Sequence, residues 1–236
     1  MDLTALQLPA RFGAAREQLA FTEALLESGP RTDLVLLPEA SLTGYVSGEG
    51  NFDLTAFAEP IEGPTRAALA HLAKRFDCLV LGPVIERATS GLFNTLLGIT
   101  PAGTTLIHYR KHHPWMPEKW ATPGPGPAQI VTWRGKKLLA AICFDAHFLS
   151  SDAGGALEEA DLLLFPSAWV DDEDGDSRPG LLKGLAQAHR VAVLNANWGK
   201  GRPLVRGQGG SLFIDAEGEL RARLETKTGR LDVTLA

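Results

Sequence analysis

Three short apolar runs in this chain each end in a residue able to do chemistry. Leu138–Ile142 (LLAAI) delivers Cys143, and Asp145 follows two positions later. Leu34–Leu37 (LVLL) leads through Pro38 to Glu39, and Thr104–Tyr109 (TTLIHY) leads through Arg110 to Lys111. Many α/β enzymes present their sites this way, at the polar exits of buried strands. A cysteine, a glutamate and a lysine so placed make a catalytic triad the working expectation. Runs that are apolar throughout also suit a sheet covered on both faces.

The rest of the chain supplies matching partners. Leu3–Leu8 reads as a first strand stopped by Pro9. Phe12, Ala15, Leu19, Thr22 and Leu26 then fall on one helical stripe, ended by Gly29-Pro30. Asp33–Leu37 is a second strand, and the Gly- and Ser-rich loop EASLTGYVSGEGN after it is long for a mere connection. Thr65, Leu69, Leu72 and Phe76 predict a second helix, and Cys78–Glu86 a strand. Asn94–Thr100 and Thr104–Tyr109 make a hairpin about Pro101-Ala102-Gly103. Gln129–Trp133 and Lys137–Ile142 make another. Ser150–Ala160 reads as a short helix, Asp161–Phe165 as a strand, Pro179–Arg190 as a helix and Val191–Asn195 as a strand. Ser211–Asp215 and Leu220–Leu224 pair about Glu217-Gly218, and Arg230–Leu235 is a last strand. Helices alternate with strands before hairpins enter, so a mixed sheet layered with helices fits best.

Composition narrows the class. At 236 residues, 44% hydrophobic and 22% charged, the chain holds enough apolar material for one sizeable domain, 1–236. The net charge of −5 and the lack of a long basic run argue against nucleic acid. No run approaches the ~20 apolar residues of a membrane span, and the N-terminus does not read as a signal peptide. Two cysteines, Cys78 and Cys143, make no disulfide framework. A soluble, cytoplasmic protein is expected.

Other readings compete for some residues. Cys143, Asp145 and His147 alternate, so on a continuing strand they share a face as metal ligands or as a Cys–His couple. The acidic loop VDDEDGDSRPGL fails the EF-hand pattern, because Gly175 sets Val170 in the first ligand position; it reads as a solvated loop. His189 lies on an apolar helix stripe, as a core or interface histidine would. Trp115, Trp120, Trp169 and Trp198 either line a pocket or cap the core. Arg178 or Arg202 could meet a substrate carboxylate.

LVLLPEASLTGY, HYRKHHPW and AAICFDAHF, in that order, resemble the three signature segments of the nitrilase superfamily of carbon–nitrogen hydrolases. LLLFPSAW and GGSLFIDAEGEL resemble its later segments, so the likeness spans nearly the whole chain. It implies a four-layer αββα sandwich with two mixed sheets. It implies Glu39 as general base, Lys111 as the cation on the oxyanion side, Cys143 as nucleophile and Glu118 as a second active-site glutamate. Trp115, Phe144, His147 and Trp169 are the expected substrate contacts, with no metal and no cofactor. A homodimer or larger assembly is expected of such a protein.

The chemistry needs these residue types. An amide carbonyl is a poor electrophile, so the reaction is divided through a covalent intermediate. The attacking species is a thiolate, and a free Cys with pKa near ~8.5 is mostly protonated at neutral pH. A buried glutamate with a raised pKa can take that proton and return it to the leaving amine. Cys143-Phe144-Asp145 looks like the amidase-type branches, whereas Trp-Glu commonly follows the cysteine of true nitrilases. His147 stands where Arg is common, and the usual Phe-Pro-Glu run is missing. Hydrolysis of a small linear amide is therefore expected. N-carbamoyl hydrolysis, nitrile hydrolysis, acyl transfer to an amine and a non-catalytic binding role are the alternatives.

Overall fold

Leu34–Leu37 and Leu162–Phe165 are without exposed surface, as an apolar run buried on both faces must be. The computed structural model in which they lie describes residues 1–171, 173 and 175–236. In chain order the elements are β1 (Asp2–Gln7), β2 (Pro9–Arg11), α1 (Ala15–Glu27), β3 (Leu34–Leu36) and α2 (Pro64–Phe76). Next come β4 (Leu79–Ala88), β5 (Gly91–Ile99), β6 (Thr105–Arg110), β7 (Val131–Trp133) and β8 (Lys136–Ala140). A 3₁₀ turn at Cys143–His147 leads to α3 (Leu149–Glu159), β9 (Leu162–Ser167) and α4 (Arg178–His189). The chain ends with β10 (Ala192–Asn197), β11 (Gly199–Arg202), β12 (Leu212–Ile214), β13 (Leu220–Arg223) and β14 (Gly229–Thr234).

Two six-stranded sheets result, ordered β14-β1-β3-β4-β5-β6 and β13-β12-β10-β9-β8-β7. Each has three parallel central strands: β1, β3 and β4 in one, β8, β9 and β10 in the other. The flanking strands pair antiparallel. The period-2 alternation of β3 shows how the layers stack. Leu34 and Leu36 join the core shared with the second sheet, whereas Val35 and Leu37 pack with Leu26 of α1 and Leu69, Leu72 and Ala73 of α2. The second sheet meets α3 and α4 on its other face through Leu149, Leu157, Leu182 and Leu185. This is an αββα sandwich. Gly82 lets α2 lie close on β4: a Cβ there would sit 2.6 Å from a Leu69 methyl.

One local expectation changes. The stripe predicted through Phe12 and Ala15 instead runs Gln18, Thr22 and Leu26, with Phe12 37% exposed. Gln18 is buried with its amide nitrogen donating to the Pro9 and Ser41 carbonyls, both at 2.8 Å, and these two bonds offset part of the cost of burying the amide. The rival reading that needed a strand continuing through Cys143, Asp145 and His147 fails, because those residues form a 3₁₀ helix. The acidic stretch read as a solvated loop includes Asp172 and Asp174, which lie outside the described residues. Among the described residues no helix is long and apolar enough to cross a membrane.

Candidate active site

Topology brings four chain segments to one end of the sandwich. β3 leaves its sheet toward Glu39, β8 toward Cys143, and β9 toward Ala168. Each departs from the carboxyl end of a parallel strand, where α/β sheets place their ligands. β6 is antiparallel to β5, which is antiparallel to β4, so β6 also points the same way and ends beside Lys111. The Lys111 amide donates to the Asn94 carbonyl at 2.8 Å, which continues the pairing one residue past the strand. Its carbonyl accepts from Gly124 at 2.8 Å; a Cβ on Gly124 would lie 2.2 Å from the Arg110 oxygen, so only glycine closes this loop.

Lys111 is the hub of a buried polar cluster. Its Nζ donates to Glu39 Oε1 at 2.7 Å and to Glu118 Oε2 at 2.6 Å, with all three side chains at most 1% exposed. Asn94 Nδ2 bridges the same two carboxylates at 2.8 and 2.7 Å. The Ala168 N–H donates to Glu39 Oε2 at 2.8 Å, and the Trp115 N–H to Glu118 Oε2 at 2.7 Å. The carboxylates thus have fixed orientations before any substrate arrives.

The charges divide the labour. Burial, helped by the charge of Glu118, raises the Glu39 pKa above 4.5 despite the pull of Lys111. Burial alone would push Lys111 down, but Glu118 and Glu39 outweigh it and hold the ammonium protonated. Burial and Glu39 push the Cys143 thiol well above its ordinary value, against the opposing effect of Lys111. The thiol is therefore neutral at rest and needs a base, and a carboxylate of raised pKa stands in the same cluster. Tyr45 is buried too; burial and the charges of Glu118 and Glu39 keep its phenol protonated.

Cys143 adopts φ +47°, left-handed backbone that a side chain occupies only when its surroundings enforce it. Asp145 does the enforcing. Its carboxylate accepts from Ile142 N at 2.9 Å, Tyr109 Oη at 2.7 Å and His113 N at 2.8 Å, tying the cysteine turn to β6 and to the Lys111 loop. Asp145 thus points inward and does not share a face with Cys143 and His147.

Cys143 opens on a cavity of about 240 Å³, and Trp115, Phe144, His147 and Trp169 line it. The His147 and Trp169 rings stack at 5.8 Å. The volume lies below the ~300–1,000 Å³ usual for drug-sized ligands. Trp120 and Trp198 belong instead to the packing around Tyr45, their indoles donating to the Phe52 and Trp169 carbonyls. Arg178 is buried, its Nη2 donating to the Gly209 and Gly210 carbonyls at 3.1 Å; Arg202 is exposed at the end of β11, and neither lines the cavity. His189 bonds Ser150 at 2.9 Å and so joins α4 to α3.

Sequence reasoning missed Asn94, Tyr45, Tyr109, the Ala168 N–H and the role of Asp145. Asn94, a polar residue opening a predicted apolar strand, was the one visible signal.

Comparison with known proteins points to one family. A sequence profile described as carbon–nitrogen hydrolase matches residues 4–235. An (R)-stereoselective amidase of a Pseudomonas species is 27% identical over 222 residues, covering 93% of this chain and 79% of the relative. An omega-amidase of Yersinia enterocolitica is 27% identical over 246 residues, covering 100% and 90%. Among solved structures, a CN-hydrolase superfamily protein of Xanthomonas campestris, with an arsenic adduct in its active site, superposes with TM-score 0.85 at 24% identity, covering 100% of this chain and 90% of that one. A cysteine-to-alanine mutant of the Nesterenkonia AN1 amidase gives 0.83 at 25%, covering 99% and 89%.

Proposed function

This chain belongs to the carbon–nitrogen hydrolase family, and we propose that it hydrolyses a small linear amide with Cys143 as nucleophile and Glu39, Lys111 and Glu118 as its partners. It is an amidase-type hydrolase that cleaves C–N bonds through a cysteine. The observation that carries the residue assignment is the Lys111 ammonium held between Glu39 and Glu118, in the cluster that sets the pKa of Cys143.

Glu39 takes the thiol proton as Sγ bonds to the amide carbon. The Lys111 ammonium meets the charge developing on the carbonyl oxygen, a contribution typically worth ~100-fold or more. The C–N bond then breaks, and ammonia leaves with the proton that Glu39 held. Glu39 next takes a proton from water, whose oxygen attacks the thioester; the carboxylic acid leaves and Cys143 recovers its hydrogen. Glu118 holds Lys111 in place throughout. Trp115, Phe144, His147 and Trp169 enclose the acyl group, and the small cavity favours short chains.

We read residues 1–236 as one domain, supported by the core that the two sheets share. On the family resemblance we expect a homodimer or larger assembly; a one-chain mass in solution would count against it. A reducing location such as the cytoplasm suits a mechanism that needs Cys143 as a free thiol.

Ammonia release from a panel of short amides, N-carbamoyl compounds and nitriles, run with wild type and Cys143→Ala, tests the reading. We expect release from amides by wild type alone. Release from nitriles or carbamoyl compounds only would move the substrate class. Equal release by Cys143→Ala would remove Cys143 as nucleophile.

A further inference from the structure

The two residues after Lys111 begin a cluster that the hydrolytic reaction does not use. One ligand atom each of His112, His113 and Asp152 lies within 4.8 Å of the others. The histidines come from the loop after β6 and the aspartate from the first turn of α3.

The scaffold holds these groups in place. His112 Nδ1 donates to the Gly124 carbonyl at 2.8 Å, so in the neutral ring the lone pair is on Nε2. A backbone carbonyl behind one imidazole nitrogen is the usual support of a histidine that ligates through the other. Gly124 is itself fixed, because its N–H donates to the Lys111 carbonyl. The His113 N–H is tied to Asp145 at 2.8 Å, and its ring lies between His112 and Phe148, with centroids at 4.4 and 4.1 Å. His113 Nε2 and Asp152 Oδ2 stand 2.6 Å apart, and the Ser151 hydroxyl donates to the other Asp152 oxygen at 3.1 Å. The two histidines are half-buried and Asp152 is exposed, so the cluster is open to solvent.

We propose that His112, His113 and Asp152 form a binding site for a divalent transition metal of the zinc type. Two imidazole nitrogens and one carboxylate oxygen are the donors such borderline cations take, with water completing the shell. Magnesium and calcium prefer all-oxygen sites. The metal replaces the hydrogen bond between His113 and Asp152, and the neutral His113 ring then carries its proton on Nδ1. Bound there, it pins the loop that bears Lys111 to the helix that follows the Cys143 turn. The site stands or falls independently of the hydrolytic reading.

The test uses full-length Cys143→Ala protein, so that the active-site thiol takes no metal. Zn2+ is titrated by calorimetry, Co2+ by its visible absorption, and melting is followed with and without Zn2+. We expect one equivalent bound and a higher melting temperature, since a ligand of the native state stabilises it. His112→Ala and Asp152→Asn should each weaken binding by about tenfold or more. His71→Ala, at an exposed histidine elsewhere, should change nothing. Two variants are used so that a folding defect in one, seen by circular dichroism in chelator, leaves the other decisive. Zn2+ affinity unchanged in the folded variants, or no saturable binding up to millimolar Zn2+, overturns the proposal.

Discussion

Glu39 and Glu118 share one ammonium, with all three side chains buried. Burial favours the neutral form of Glu39, so its pKa lies above 4.5, yet a general base must be ionised. The acid limb of kcat/KM should accordingly fall above pH 4.5, with activity lost as pH drops through it. Glu39→Gln should cost roughly 100-fold or more in rate. A pH–rate profile of wild type checks the first point, and a limb at or below 4.5 would contradict it. Glu39, Lys111 and Cys143 were legible as polar exits of apolar runs. Glu118 was visible only through the resemblance, because nothing in PEKWATPG marks it as buried. Asn94 and Asp145 act through hydrogen bonds to residues far away in the chain, which no local pattern records.

At the scale of elements, Glu86 shows how strands support the site. It lies on β4, and its buried carboxylate takes hydrogen bonds from Thr95 on β5 and from His108 and Arg110 on β6. Burial opposes its charge, but the bonds from His108, Arg110 and Thr95 win and lower its pKa from 4.5 to about 2. A depressed carboxylate stabilises the fold above its unfolded pKa and loses that contribution as pH falls toward the folded value. Glu86→Gln should therefore cost on the order of 3 kcal/mol at neutral pH. The gap to wild type should narrow as pH falls from 4.5 toward 2. Urea denaturation at several pH values measures this, and a gap independent of pH would refute it. The helices and strands themselves were readable from apolar periodicity. The stripe of α1 was misread at Gln18, a polar residue buried with its amide nitrogen on two carbonyls. The end of β8 lies within two residues of where the apolar run stops, and Asp145 then caps the backbone at Ile142 and turns the chain.

Across the whole molecule, the two thiols report two different environments. Cys78 is wholly buried between layers, and burial pushes its pKa up to about 12. Cys143 lines the cavity. Iodoacetamide should thus modify Cys143 alone in the native protein and Cys78 only after denaturation. Peptide mass spectrometry reads this directly, and native labelling of Cys78 at a comparable rate would contradict the layered core. The sequence by itself determined a mixed sheet layered with helices, the strands that carry the reactive residues and the resemblance that implied the sandwich, because hydrophobic period and motif order are local or sequential properties. Only the tertiary structure decided that Glu39, Lys111, Glu118 and Cys143 meet. Two sheets had to stack with their parallel strands ending on one side, joined by hydrogen bonds from Ala168 to Glu39 and from Tyr109 to Asp145. Such contacts join residues up to 129 positions apart, and their energy depends on geometry in space that a linear pattern does not carry.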